Sequence, residues 1–264
     1  MSDLQQDEAL SKVRAEIDDI DQQIQSLINR RASCAQRVAD IKQQFGADSP
    51  VFYRPEREAQ VLRRAQQRNK GPLPDYEIAR LFREVMSICL AHEHRLNVGY
   101  CSSNNAEADK ASLKQFGHSV EPFALKSVTD LFAGLHNGTL HYAIVSLFDL
   151  KDPDSGLFDQ LRTGVAKVVG EVCLSKTSQY IVLGNQWVGP SGHDKTAFVL
   201  NAREGSSLQF LKTLTFDRTV LVGSDSAYVE VQGQVSLDDF LLTLVGLDDD
   251  LSAVHLGCFP RAVF

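Results

Sequence analysis

The residues best placed to do chemistry lie in the first third of the chain. Arg31 and Lys42 stand 11 positions apart; at about 100° per residue that brings them within roughly 20° of one helix face, with Cα atoms some 16 Å apart. Two long cationic side chains reaching inward from such positions can grip a small dianion between them. Arg14 lies 17 positions before Arg31, about 25 Å along the same axis and on another side of it, so it is expected to serve the pocket of a partner chain. Further along, Arg57 and Glu58 are adjacent, and Cys89 and Glu93 are one helical turn apart. A single arginine on a helix is ordinarily a solvated surface residue. The cluster is what points to the handling of an anion.

Three helices must position these groups. From Asp7 to Gln44 there is no Pro or Gly, and apolar residues recur at helical spacing at Leu10, Val13, Ile17, Ile20, Ile24, Leu27, Ile28, Val38 and Ile41. Such a helix runs roughly 55 Å, too long to be covered by the two shorter ones that follow, so a second copy of the chain is expected to cover the rest. The stretch FGADSPVFYRP ends it. Pro55 suits a first helical turn, and a second helix is predicted from Glu56 to about Asn69. NKGPLP breaks the chain again before a third helix from Asp75 to about His94, with Ile78, Leu81, Phe82, Val85 and Leu90 on its apolar face.

Composition narrows the partners. The 264 residues, 43% hydrophobic and 23% charged, are those of an ordinary soluble protein with room for two or three cores, and no apolar run reaches the roughly 18 residues of a membrane span. The N-terminal MSDLQQDEAL shows neither a basic head nor an apolar stretch, so a cytoplasmic location is expected. Residues 1 to 95 hold 15 Lys+Arg, 12 of them Arg, against 15 Asp+Glu, so the net charge of -7 falls entirely downstream. That argues against nucleic acid as a partner. The five cysteines, Cys34, Cys89, Cys101, Cys173 and Cys258, form no CxxC pair, and no HExxH spacing occurs. They are read as free thiols, and neither a metal nor any other cofactor is expected.

After Arg95 the pattern becomes an alternation of strands and helices. LNVGY and LHYAIVSLF read as strands; residues 106 to 116 and LKSVTDLFAGLHNG read as helices, the latter with a Gly stop. From about Lys195 a second such segment follows, with strands TAFVLNA, TVLVGS, AYVEVQG and AVHLGCF and helices SSLQFLKTL and SLDDFLLTLVGL. That βαββαβ order fits a ferredoxin-like module, and the Gly/Pro/Ser-rich WVGPSGHDK marks the boundary before it.

The blocks VRAEIDDIDQQIQSLINRRASCAQRVADIK, VFYRPEREAQVL, NKGPL and ARLFREVMSICLAHE together resemble the mutase domain of the bacterial bifunctional chorismate mutase/prephenate dehydratase, the P-protein, across residues 10 to 95. The resemblance implies rearrangement of chorismate to prephenate in phenylalanine and tyrosine biosynthesis, within a homodimer built by the N-terminal helices. In that family the first helix supplies two arginines and a lysine, here Arg14 acting across the dimer, Arg31 and Lys42. The second supplies Arg57 and Glu58, with Glu58 on the substrate's ring hydroxyl, and the third supplies a small polar residue and a Gln or Glu, here Cys89 and Glu93. Arg54 stands where some members carry Asp. The implied reaction is an intramolecular Claisen rearrangement, which needs no covalent intermediate. Bidentate arginines can hold a compact conformer, and donors aimed at the ether oxygen bind the transition state better than the substrate. Lys42 and Glu93 are the expected donors, and Glu93 can donate only when protonated.

Downstream the resemblance thins. LNVGY, SLKQFGHSV and VVGE look like pieces of a prephenate dehydratase lobe, yet CSSNNAEA replaces that family's GPxGT/S loop, SLFDL its PxEN segment, and Ser178-Gln179-Tyr180 its Thr-Arg-Phe motif. A whole lobe between VVGE and Ser178 is missing, and loss of the Arg removes a cation that prephenate dehydration needs. The last segment resembles an ACT regulatory domain in which REGSSL replaces an N-x-PGAL turn, which leaves an amino-acid effector as an open partner. The expected organisation is therefore an all-helical mutase domain at 1–96, a truncated α/β dehydratase-like domain at 97–190, and an ACT-like, ferredoxin-like domain at 191–264. Three functions compete: a mutase with a non-catalytic tail, a bifunctional enzyme, and a non-enzymatic regulator or binding protein.

Overall fold

A computed structural model describes residues 3–45, 53–203, 207–245 and 251–264. Three helices come first, as the spacing requires: α1 (Asp3–Phe45), α2 (Pro55–Arg68) and α3 (Asp75–Glu93). Pro55 occupies the first turn of α2, where its missing N–H costs nothing. The buried face of α2 is Ala59, Leu62 and Ala65, and that of α3 includes Ala79, Ser87 and Cys89, so small side chains let these two helices approach closely.

Helix α1 is 43 residues long, about 65 Å. Its side chains begin to be covered only from Ile28 onward, and Ala39 is fully buried. The first half leaves Leu10, Val13, Ile17, Ile20, Ile24 and Leu27 exposed, Ile17 at 50% and Leu27 at 62%.

The α/β half opens with a five-stranded sheet in the order β2-β1-β3-β5-β4, from β1 (Val98–Tyr100), β2 (Phe123–Ala124), β3 (Tyr142–Ser146), β4 (Lys167–Cys173) and β5 (Gln179–Gly184). Strands β1, β2 and β3 are parallel, and α4 (Asn105–Phe116) and α5 (Val128–Asn137) make the crossovers. The expected helix from Leu125 starts three residues later, because the Ser127 hydroxyl accepts from the Asp130 N–H and caps it there; Gly138 in the left-handed conformation ends it. A short α6 (Leu157–Arg162) leads to β4. Where the sequence leads to the expectation of a missing lobe, β4 turns directly through residues 174–178 into β5 as an antiparallel hairpin.

The last segment forms an antiparallel sheet, β7-β8-β6-β9, from β6 (Asp194–Asn201), β7 (Arg218–Val222), β8 (Ser226–Gln232) and β9 (Ser252–Pro260). That is the expected βαββαβ strand order. The first connecting helix is 3₁₀ (Leu208–Thr213), and the second, α7 (Leu237–Leu242), is shorter than its apolar pattern suggests, with its expected end at 246–247 lying outside the described residues. Among the described residues, no helix is long and apolar enough to cross a membrane.

The two sheets share a core in which Val168 and Leu183 of the first meet Ala197, Leu256 and Phe259 of the second. Gly257 permits the approach: its φ is +134°, and a Cβ there would sit 2.8 Å from the Val168 carbonyl oxygen. A buried ion network crosses the same seam. Lys195 Nζ lies 2.7 Å from Glu171 Oε2 and 3.0 Å from Glu230 Oε2, Arg218 Nη1 lies 2.6 Å from Glu230 Oε1, and the Tyr228 hydroxyl donates to Glu230 Oε1 at 3.0 Å. The Ala262 N–H donates to Glu171 Oε1, so the C-terminal segment is tied to the first sheet. Two carboxylates facing two cations in the interior are stable only as a set. Lys195→Met is expected to lower unfolding free energy by about 3–5 kcal/mol by stranding buried carboxylates, read as the shift of a urea denaturation curve; a loss under about 1 kcal/mol would show that solvent reaches the seam.

Candidate active site

A cavity of about 520 Å³ opens between the C-terminal half of α1 and the helices α2 and α3. Six of the seven side chains picked out in the sequence line it: Arg31 and Lys42 from α1, Arg57 and Glu58 from α2, Cys89 and Glu93 from α3. The helical-wheel argument for Arg31 and Lys42 thus holds, since both face one space. Arg14 does not line it; it sits in the uncovered half of α1. Arg54 borders the cavity, but its guanidinium pairs with Glu56 at 2.7 Å.

The two carboxylates differ in setting. Glu58 is nearly enclosed, and burial pushes its pKa up against the opposing pull of the Arg83 guanidinium and of the Tyr53 hydroxyl, which donates to Glu58 Oε1 at 3.3 Å. Arg83 Nε lies 3.2 Å from the same oxygen, an ion-pair distance without hydrogen-bond alignment, while its Nη1 donates to the Lys114 carbonyl at 2.8 Å. Glu93 is more open. Its pKa is also raised by burial, with Lys42 and Arg31 pulling it down. A cavity lined by four cationic side chains, of which Arg54 is paired with Glu56, and by two carboxylates can hold a small organic dianion and donate hydrogen bonds to it.

Sequence reasoning missed the rest of the wall. Cys34, Ala35 and Val38 line the cavity beside Arg31, and their i+3, i+4 and i+7 spacing from that residue was available as a signal. Tyr53 and Phe116 also line it. Phe116 ends α4, 23 residues beyond Glu93, and no local pattern announces a contact made by the folding back of another segment. Among the described residues, no group of three or more His, Cys, Asp or Glu side chains is placed to hold a metal ion.

The motif replacements downstream have structural counterparts. Asp149, in the SLFDL segment, is buried and accepts from Ser102 Oγ at 2.8 Å, Ser103 Oγ at 2.5 Å and the Ser103 N–H at 3.1 Å. Ser178 donates to Glu107 Oε2 at 2.7 Å. These side chains satisfy one another.

Comparison with known proteins finds similarity in the helical segment and beyond it. Residues 13–94 match the family model of chorismate mutase type II. The bifunctional chorismate mutase/prephenate dehydratase of Pseudomonas aeruginosa is 43% identical over 138 residues, 52% of this chain and 38% of that protein. Its counterpart in Neisseria gonorrhoeae is 38% identical over 169 residues, 64% of this chain and 45% of that protein, so the similarity continues beyond the helices. The chain thus spans less than half the length of these relatives. Among solved structures, a prephenate dehydratase from Streptococcus mutans superposes with a TM-score of 0.43 at 13% identity, covering 63% of this chain and 98% of that one.

Proposed function

We propose that this chain is a chorismate mutase whose downstream half does not dehydrate prephenate. The observation that carries the reading is the convergence of Arg31, Lys42, Arg57, Glu58, Cys89 and Glu93 on one cavity inside the segment that matches the mutase family. In the proposed reaction Arg31 and Arg57, joined by Arg14 of a second copy, hold the two carboxylates of chorismate so that its side chain lies over the ring. The ether C–O bond breaks as the new C–C bond forms, with nothing leaving and nothing added. Negative charge grows on the ether oxygen, and Lys42 and protonated Glu93 donate to it. Glu58 accepts from the ring hydroxyl. We read the β6–β9 unit as ACT-type on its strand order, and the segment between it and the helices as a dehydratase remnant on its replaced motifs and self-satisfied Asp149.

A homodimer belongs to the same reading. The exposed apolar row from Leu10 to Leu27 needs a cover, and a second α1 running alongside would supply one while delivering Arg14 to the opposite cavity. Purified protein is expected to consume chorismate and accumulate prephenate, with no phenylpyruvate formed from added prephenate; phenylpyruvate would restore the bifunctional alternative. Replacing Arg31 by Ala is expected to lower kcat/KM by about 10²–10³-fold, the cost of losing a charged clamp on the reacting conformer. Turnover unaffected by that change would sink the assignment.

Glu93 fixes a pH dependence. Its donor form is the protonated one, and its pKa is raised, so kcat/KM should be highest below that raised value and decline as pH rises through it. Glu93→Gln, which donates at any pH, should erase the decline on the alkaline side; superimposable profiles would remove Glu93 from the donor role. Ile17→Asp, placed in the exposed row, should yield a monomer by sedimentation with activity reduced at least about tenfold through loss of the second copy's Arg14. A fully active monomer would contradict the shared cavity.

A further inference from the structure

The wall of the cavity is not made by the helical segment alone. Tyr53, in the loop before α2, is buried with its ring 5.3 Å from that of Phe116 and 5.2 Å from that of Tyr142, centroid to centroid. The Tyr142 hydroxyl donates to the Tyr53 carbonyl at 3.1 Å. Gln115, also buried, donates from Nε2 to the Tyr53 hydroxyl oxygen at 3.0 Å. That hydroxyl in turn donates to Glu58 Oε1. Gln115 and Phe116 belong to α4 and Tyr142 to β3, all in the α/β half.

We infer that Gln115 and Tyr53 are positioning residues for Glu58, so that the α/β half completes the substrate cavity of the helical half; the inference rests on the mutase reading above. A phenol has one proton to give. With the Gln115 N–H occupying a lone pair of the Tyr53 oxygen, the Tyr53 proton is directed to Glu58, and the side chain of Glu58 is fixed through Oε1. Its Oε2 is left for a substrate hydroxyl. The charged and titratable groups facing Glu58 are Tyr53 on its own side and Arg83 from α3. Arg83 is held from the α/β half as well, by the Lys114 carbonyl and by the Phe264 ring 4.4 Å from its guanidinium carbon. Both supports of Glu58 are therefore anchored on α4 or on the segment packed beside it.

The test is a double-mutant cycle on the full chain, using kcat/KM for chorismate and thermal melting to confirm folding. Gln115→Met keeps the volume and removes the donor, and Tyr53→Phe removes the hydroxyl. Tyr53→Phe is expected to lower kcat/KM roughly tenfold when Glu58 is present, the scale of one hydrogen bond to a charged group, and Gln115→Met about fivefold, the scale of a neutral one, with each loss less than about twofold in the Glu58→Gln background. Equal losses in both backgrounds would mean a general packing role and would overturn the inference while leaving the mutase reading intact. If Glu58→Gln leaves too little turnover to measure, the pH profile decides. The Tyr53 hydrogen bond lowers the pKa of Glu58, so Tyr53→Phe should move the acid limb of kcat/KM to higher pH, and an unmoved limb overturns the inference. Should Gln115→Met fail to fold, Tyr53→Phe carries both measurements. Absence of chorismate turnover by the wild-type protein overturns both readings together.

Discussion

Cations brought into one half-enclosed space repel one another, and beside Arg54, which is paired with Glu56, three more line the cavity. Arg31, Lys42 and Arg57 line the same cavity, and like charges so placed are tolerable only with opposing charge nearby or with water retained around them. The protein supplies two carboxylates of different character. Glu58 is tied down by Tyr53 and Arg83, and Glu93 lies within the electrostatic reach of Lys42 and Arg31. On the proposed mutase reading, a substrate dianion would enter a site whose charges are already placed. Rigid placement of charge is what an intramolecular rearrangement can use, since no proton or electron has to leave the reacting molecule.

The long first helix imposes a second constraint, one of coverage. Its C-terminal half is partly covered and contributes to the cavity, whereas among the described residues its N-terminal half carries the same apolar repeat exposed. A row of six exposed aliphatic side chains is too extended to be incidental surface. In the homodimer proposed above one continuous helix would have two jobs, since the rigidity that aligns Arg31 and Lys42 in one chain would also carry Arg14 to another.

How much of this could be read from the chain depends on the range of the interaction concerned. Arg31 and Lys42 were legible because helical geometry is local and the stretch around them has no Pro or Gly. Strands β1 and β3, helices α4 and α5 and the βαββαβ arrangement of the last segment were legible for the same reason, whereas β2, β4, β5 and α6 were not read. Boundaries set by a cap, such as Ser127 at α5, shifted by a few residues. Tyr53, Gln115 and Phe116 were invisible. Their importance lies in a contact between a loop and a helix more than 60 residues later, and periodicity carries no information about pairings at that distance. The buried set Glu171, Lys195, Arg218 and Glu230 was equally hidden, because each member taken alone reads as an ordinary strand residue facing solvent.

The α/β half departs in sequence from the motifs of the family it resembles, and its core is nonetheless closely packed. Its polar residues near the replaced motifs bond to each other, Asp149 to Ser102 and Ser103 and Ser178 to Glu107. Its apolar ones build a core continuous with the last sheet. Meanwhile the edge of that core nearest the helices, Phe116 and Tyr142 around Tyr53, closes one side of the cavity. A segment that packs against the helices has to satisfy every surface that they press against it. In this chain one of those surfaces is Tyr53, whose hydroxyl donates to Glu58 and accepts from Gln115 of α4.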